Sequence, residues 1–395
     1  MNGRNIRLFY TLEAILSLIG GMILPVFVIY FRNYGVTLLQ VALLAAVFEA
    51  TIIIFEVPTG IFADRFGRKL STSIGFFLLA LSAVIFVTYR SFTGFLAAEI
   101  IFGVSETFIS GALEALAADS LPSEENRQSA LSRLFSNRTI FKTTAVLTGM
   151  ISGSLLAGYD LRLLFVPISI IAALGWVVTL FLIEPPVMPA ERSIKRASAF
   201  SLFRLTIGKG IIPVLFTVGL LSNFIYEPVD QFWQVLFSES KHINISYLGL
   251  ITAAGSILVM ILARFSERLY SRFTFYLCSG LFLIAISLFM TVKFSICPAI
   301  AGIIVYFAVK ELIQPAISTQ LNLHFDGRNR ATFLSGFNLI CSIGEVIAGI
   351  LAGVLASHFG VGFLFYSSAI AAVVLAFSYA LFKSREASAH FPKQT

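Results

Sequence analysis

Among the carboxylates within long apolar runs of this chain, nine face the question of how they are satisfied: Glu13, Glu49, Glu99, Glu106, Glu114, Glu227, Asp230, Glu311 and Glu345. Three bases, Arg138, Lys142 and Lys310, share those runs. An ionised side chain at the centre of a membrane helix costs about 2.5–3.5 kcal/mol, so such groups face an interior, pair with one another, or hold a proton. Structural pairing with three bases satisfies only some of the nine. The rest are protonated, solvated in a cavity, or open to a cationic partner. The chemistry implied is reversible proton binding in competition with a cation.

Spacing sorts these residues onto helix faces. Glu99, Glu106 and Glu114 recur at steps of seven and eight, one stripe of a helix, with Gly103 and Ser110 beside them. Asn223, Glu227, Asp230 and Gln234 step by four, three and four, and Pro228 on that face is expected to kink its helix. Glu311, Gln314, Ser318 and Asn322 share another face, and Glu345 lies near the middle of the next apolar run. Glu311, Glu106 and Glu345 are the proton-coupling candidates. Glu13, Glu49, Asn223, Tyr226, Glu227, Asp230, Gln314, Arg138 and Lys142 are the substrate-binding candidates. Glu227 and Glu311 are expected to face one cavity. Aromatic side chains such as Tyr226 and Trp233 near the acidic faces would make it apolar and cation-tolerant.

The elements that position these residues follow from composition. Of 395 residues, 57% are hydrophobic, 12% are charged and 40 are phenylalanine, more apolar surface than a water-soluble fold can hide. With about 20 apolar residues needed per span, the chain divides into twelve: 6–31, 38–62, 72–89, 92–119, 134–157, 161–183, 209–236, 246–265, 272–291, 298–322, 331–356 and 361–383. The first run is too long for a signal-peptide core and is expected to be retained. Glu184-Pro185-Pro186 opens a basic stretch, 184–208, that reads as a linker between halves at 1–183 and 209–395. The net charge of +7 does not point to nucleic acid, because the bases fall in short connections and on no amphipathic face. Twenty of the 28 Lys and Arg residues lie on one side if both termini are cytoplasmic, which sets that orientation.

No catalytic, phosphate-loop or metal-ligand pattern is present, and no cofactor or metal is expected. Cys278, Cys297 and Cys341 read as packing residues, and the four histidines sit at span ends or in the tail. The two halves repeat at a spacing of 203 residues: Asp64-Arg65 against Glu267-Arg268, Asn126-Arg127 against Asn329-Arg330, and Pro25 against Pro228. Such parallel repeats describe a duplicated six-helix unit.

Between spans 2 and 3 runs Gly60-Ile61-Phe62-Ala63-Asp64-Arg65-Phe66-Gly67-Arg68-Lys69. Gly67 is suited to a positive φ, Gly60 to close helix approach, and Asp64 to accepting bonds from helix N-termini. This stretch resembles motif A of the major facilitator superfamily, G-x-x-x-D-R-x-G-R-K, at every specified position. The resemblance implies an all-α integral membrane fold of twelve helices in two pseudo-symmetric six-helix bundles. It also implies a gate built from Gly60, Asp64, Arg65, Gly67, Arg68 and Lys69. Asp119 is then either a helix cap or a partner for Arg65. Where the superfamily's drug-proton antiporters carry an arginine four residues before a span-4 glycine, this chain has Glu99 before Gly103. Their span-5 G-x-x-x-G-P becomes Gly149-x-x-x-Gly153-Ser154.

The expected function is secondary active transport by alternating access, with no enzymatic step. The leading reading is proton-coupled efflux, by antiport, of amphipathic or cationic small molecules, the multidrug-resistance type. The alternative is a proton-coupled carrier of one metabolite, anionic or zwitterionic, with Arg138 and Lys142 contacting it. The partners are a small-molecule substrate, protons and the lipid bilayer, without nucleic acid. The chain is expected in the cell inner (plasma) membrane as a multi-pass monomer.

Overall fold

The computed structural model describes residues 2–121, 127–184, 211–270, 272–324 and 330–389. Thirteen α-helices account for nearly all of them: α1 (Asn2–Ile23), α2 (Phe27–Asn33), α3 (Leu38–Phe66), α4 (Arg68–Thr88), α5 (Phe92–Asp119), α6 (Arg127–Tyr159), α7 (Phe165–Leu180), α8 (Ile211–Val235), α9 (Leu248–Tyr270), α10 (Phe273–Lys293), α11 (Ile296–His324), α12 (Arg330–Phe359) and α13 (Val361–Ala389). Among the described residues twelve segments are long and apolar enough to cross a membrane, and the fold is an all-α integral membrane one. Large apolar side chains such as Ile54, Ile170 and Ile370 stay exposed, as a lipid-facing surface requires. Asn126, Asn329, residues 185–208 of the linker and the Glu267 side chain lie outside the described residues.

Proline acts differently at its two repeated positions. The expected first span, 6–31, is two helices, because the chain turns at Leu24-Pro25-Val26. Pro25 offers no N–H to the carbonyl four residues back, and Gly20 and Gly21 in the preceding turn weaken the helix further. Pro228, by contrast, sits inside an unbroken α8, as Pro58 and Pro315 do in α3 and α11. Helix α8 ends in a π turn at Leu236–Ser240. Just beyond it Lys241 donates to the carbonyls of Val292 (3.4 Å) and Phe294 (2.9 Å). Burial pushes the Lys241 ammonium down from its ordinary range.

The chain divides into two compact units, Met1–Arg192 with His242–Leu250, and Ser193–Lys241 with Ile251–Thr395. In the first unit α1 packs on α6 so closely that a Cβ at Gly21, Gly149 or Gly153 would strike the facing backbone. This is the small-residue contact expected of Gly149-x-x-x-Gly153, driven in a bilayer by van der Waals packing. An aromatic cluster closes one end of the unit, with Tyr30, Phe31, Phe86, Phe95 and Phe165 all buried. The Tyr30 hydroxyl donates to the Phe86 carbonyl at 2.6 Å, and Phe86 stacks on Phe165 at 4.5 Å. In the second unit α11 approaches α10 at Gly302, which faces the Ser287 carbonyl and Thr291, while α8 meets α12 where Gly219 faces Phe337.

Candidate functional site

Of the polar face expected on α8, Asn223 and Gln234 are buried while Glu227 and Asp230 are half-buried. From Asn223 to Asp230 this face lines a cavity of about 380 Å³ within the second unit, together with α11 and α12. Glu227, Asp230 and Glu345 bring carboxylates to it, and Lys310 brings one ammonium. Tyr226, Phe337 and Cys341 supply apolar wall, while Gln314, Ser318, Asn338 and Ser342 supply neutral polar groups.

Hydrogen bonds hold this wall in place. Gln314 Nε2 donates to Asn223 Oδ1 at 3.1 Å, and Asn223 Nδ2 donates to the Cys341 carbonyl at 3.2 Å, joining α8, α11 and α12. Lys310 Nζ lies 2.5 Å from Asp230 Oδ2 and 3.5 Å from Glu311 Oε1. The hydroxyl of fully buried Tyr306 donates to Asp230 Oδ1 at 3.0 Å and reaches the Tyr226 carbonyl at 3.1 Å. Asp230 is thus a paired residue, held by Lys310 and Tyr306. Glu311 departs from expectation: its side chain is 58% exposed and does not line the cavity that Glu227 faces. It follows Lys310 directly in α11, and successive residues on a helix point about 100° apart.

The first unit holds a second charge cluster. Arg138 of α6 lies between Glu13 of α1 and Glu114 of α5, with Nε 3.0 Å from Glu13 Oε2 and Nη2 2.6 Å from Glu114 Oε1. The Nε–H is not aimed at the Glu13 oxygen, so that contact is an ion pair without a directed hydrogen bond. Tyr10 stacks on Phe141 beside the cluster at 5.0 Å. Glu13 and exposed Lys142 both act electrostatically on Glu106. Glu99, 1% exposed, and half-buried Glu49 form a separate pair within mutual electrostatic reach.

The Gly60–Lys69 stretch is almost wholly helical. Gly60 to Phe66 are the last turns of α3, Arg68 begins α4, and Gly67 alone is non-helical, with φ +105°. Gly60 has nothing within 4 Å of a Cβ placed on it, so no close helix approach occurs there. Arg68, not Arg65, pairs with Asp119, and it also donates to the Ala115 carbonyl at 2.8 Å. Arg65 instead lies over the Phe66 ring, 5.3 Å from its centroid. Asp64 is exposed. The acceptor role expected of it falls to Glu184, whose two oxygens each take a backbone N–H, of Arg68 and Lys69, at 2.7 Å. Lys69 Nζ donates to the Leu180 carbonyl at 3.0 Å, and Asn5 ties the same end together through Ser120 (2.8 Å) and Ile183 (2.8 Å). Glu184 and Tyr306 were not singled out by sequence. Glu184 has no periodic partner, and Tyr306 is one aromatic residue in a wholly apolar run.

Membrane-spanning helices that bring charged side chains into the interior of each unit are the features of a multi-pass transporter. The Major Facilitator Superfamily sequence model matches residues 10–312, and the chain belongs to that family. It is therefore a secondary transporter and not an enzyme. It is 26% identical over 382 residues to the uncharacterized MFS-type transporter YxaM of Bacillus subtilis, covering 92% of each chain. It is 22% identical over 340 residues to the quinolone resistance protein NorA of Staphylococcus aureus, covering 85% of each. Among solved structures, the nucleoside transporter NupG superposes with a TM-score of 0.80 at 15% identity, over 96% of this chain and 99% of that one, a likeness of fold alone.

Proposed function

We propose that this chain is a proton-coupled exporter of amphipathic, cationic small molecules. The observation that carries the reading is the cavity of the second unit, where three carboxylates outnumber one ammonium beside aromatic wall. Glu227 and Glu345 line this cavity, and proton and cation compete for their carboxylates. Binding of one then releases the other, and that reciprocity is antiport. Glu345 takes the proton-coupling role ahead of Glu311 and Glu106, because it lines the cavity. The similarity to NorA, a quinolone resistance protein, supports the same class of substrate. The Gly60–Lys69 stretch with Asp119 acts as the gate. The proposal includes six-helix halves at 1–183 and 209–395, a monomer, and both termini on the cytoplasmic side of the inner membrane, supported by the Lys and Arg asymmetry.

A second reading rests on a different property of the same cavity. Asn223, Gln314 and Asn338, with Ser318 and Ser342, are the neutral donors and acceptors that a hydroxylated metabolite would use. Everted vesicles with an imposed pH gradient separate the two. A lipophilic fluorescent cation accumulates if the efflux reading holds, and Glu227→Gln abolishes that accumulation. Glu345→Gln retains counterflow without a gradient and loses the pH-driven component. Accumulation of an uncharged nucleoside, with no movement of the cation, would replace the first reading by the second.

A further inference from the structure

A larger cavity, about 750 Å³, lies elsewhere in the second unit, where α8 and α10 begin and α11 and α13 end. Two cations line it, Arg272 and Lys383, and its described lining contains no carboxylate. Residues Phe273, Thr274 and Phe275 of its wall are the first turn of α10, a helix of 21 residues whose N-cap, Arg272, provides no side-chain cap. Tyr276 N–H donates to the Arg272 carbonyl at 3.0 Å in that first turn, and the N–H groups at the start of a helix have no partner within it. Two cations and an uncapped helix start make a site for an oxyanion. Walls of Ile211, Leu215 and Tyr379 make its remaining surface apolar.

The second observation is a groove that continues from this cavity through Phe275. It holds about 210 Å³ and runs between α10 and α11 past Gly280, Leu283, Leu312 and Ile313. Phe275 is 66% exposed and Leu283 is 44% exposed, so the groove opens along the lipid-facing side. From Phe275 to Leu283 the helix rises about 12 Å, a slot for an extended chain. A soluble phosphate would use the cationic end and leave this slot empty.

We propose that the second unit binds one anionic phospholipid, its phosphate held by Arg272, Lys383 and the start of α10, and one acyl chain laid along the Phe275–Leu283 groove. Basic pockets between membrane helices hold anionic head groups in this way. The site is separate from the Glu227 cavity, and the inference is independent of which substrate is carried.

The test is native mass spectrometry of the delipidated full chain, titrated with phosphatidylglycerol and with phosphatidylcholine of equal chain length. Phosphatidylglycerol is expected to bind roughly tenfold to thirtyfold more tightly, the worth of two cations near an anionic head group. Arg272→Gln with Lys383→Gln should remove that preference. The charge-matched control Arg162→Gln with Lys293→Gln, both exposed at other sites, should keep it. Leu283→Trp, which fills the groove from an exposed position, should weaken long-chain phosphatidylglycerol and spare a six-carbon-chain form. That arm stands even if the double variant fails to fold. Equal binding of the two lipids, or a preference untouched by the double variant, overturns the proposal. Thermal stabilisation by inorganic phosphate equal to that by the lipid at the same concentration also overturns it, by making the ligand a soluble anion.

Discussion

Each unit holds one cation between two carboxylates, yet the two clamps are built from different parts. In the first unit Glu13 and Glu114 come from α1 and α5, and Arg138 reaches them from α6. In the second unit Asp230 and Glu311 come from α8 and α11, the corresponding helices of the repeat, while Lys310 comes from α11 itself. At the repeat spacing of 203, Arg138 corresponds to Cys341 and Lys310 to Thr107. The first clamp lies toward the face where α1 begins, because Glu114 is in the last turns of α5. The second lies toward the face where α8 ends, because Asp230 is in that helix's last turns. A repeated fold therefore preserves which helices meet, and charge is distributed over it separately. The second clamp also has an extra donor, Tyr306, and stands in the wall of a cavity.

That asymmetry is open to direct attack. Arg138→Gln leaves Glu13, only 7% exposed, as an uncompensated interior charge, and should cost about 3–5 kcal/mol in unfolding of the detergent-solubilised protein. Adding Glu13→Gln should restore much of the loss. Lys310→Gln should cost less, about 1–3 kcal/mol, since Tyr306 still donates to Asp230. If Lys310→Gln proves the more damaging, the ranking of the clamps is wrong. Tyr306→Phe is expected to cost about 0.5–1.5 kcal/mol alone, because Lys310 still neutralises Asp230. Combined with Lys310→Gln it should cost more than the two single changes added together, and strict additivity in the double-mutant cycle would remove Tyr306 from the clamp. The smallest effects belong to the outer carboxylates: Glu114→Gln and Glu311→Gln, at 41% and 58% side-chain exposure, should each change stability by less than about 1 kcal/mol. A larger loss for Glu311 would show that it is held in the interior after all.

Much of this architecture is legible in the sequence. Hydropathy alone places the helices, because a bilayer imposes one length and one polarity on every span. The α8 face from Asn223 to Gln234 follows from helical periodicity, with its amides buried and its two carboxylates half-buried. The partners of each charge were less accessible to sequence. Glu184 bonds residues more than a hundred positions away, and Asp119 chooses Arg68 over Arg65, choices set by where helix ends meet. Periodicity also placed Glu311 on the face of Gln314 and Ser318 without revealing that those two reach the cavity and Glu311 does not. Pro25 and Pro228 make the same point, since an identical residue at a repeated position breaks one helix and is carried by the other.

Gly67 has a mechanical consequence. Two helices of 29 and 21 residues are joined by that one residue, so their facing ends have almost no slack: a residue spans at most about 3.3–3.6 Å. Any tilt of α3 must drag the start of α4 with it, and that start is moored by Glu184. The joint behaves as an elbow with its pin set in a third helix's tail, so strain arriving along one arm is delivered to the other undiluted.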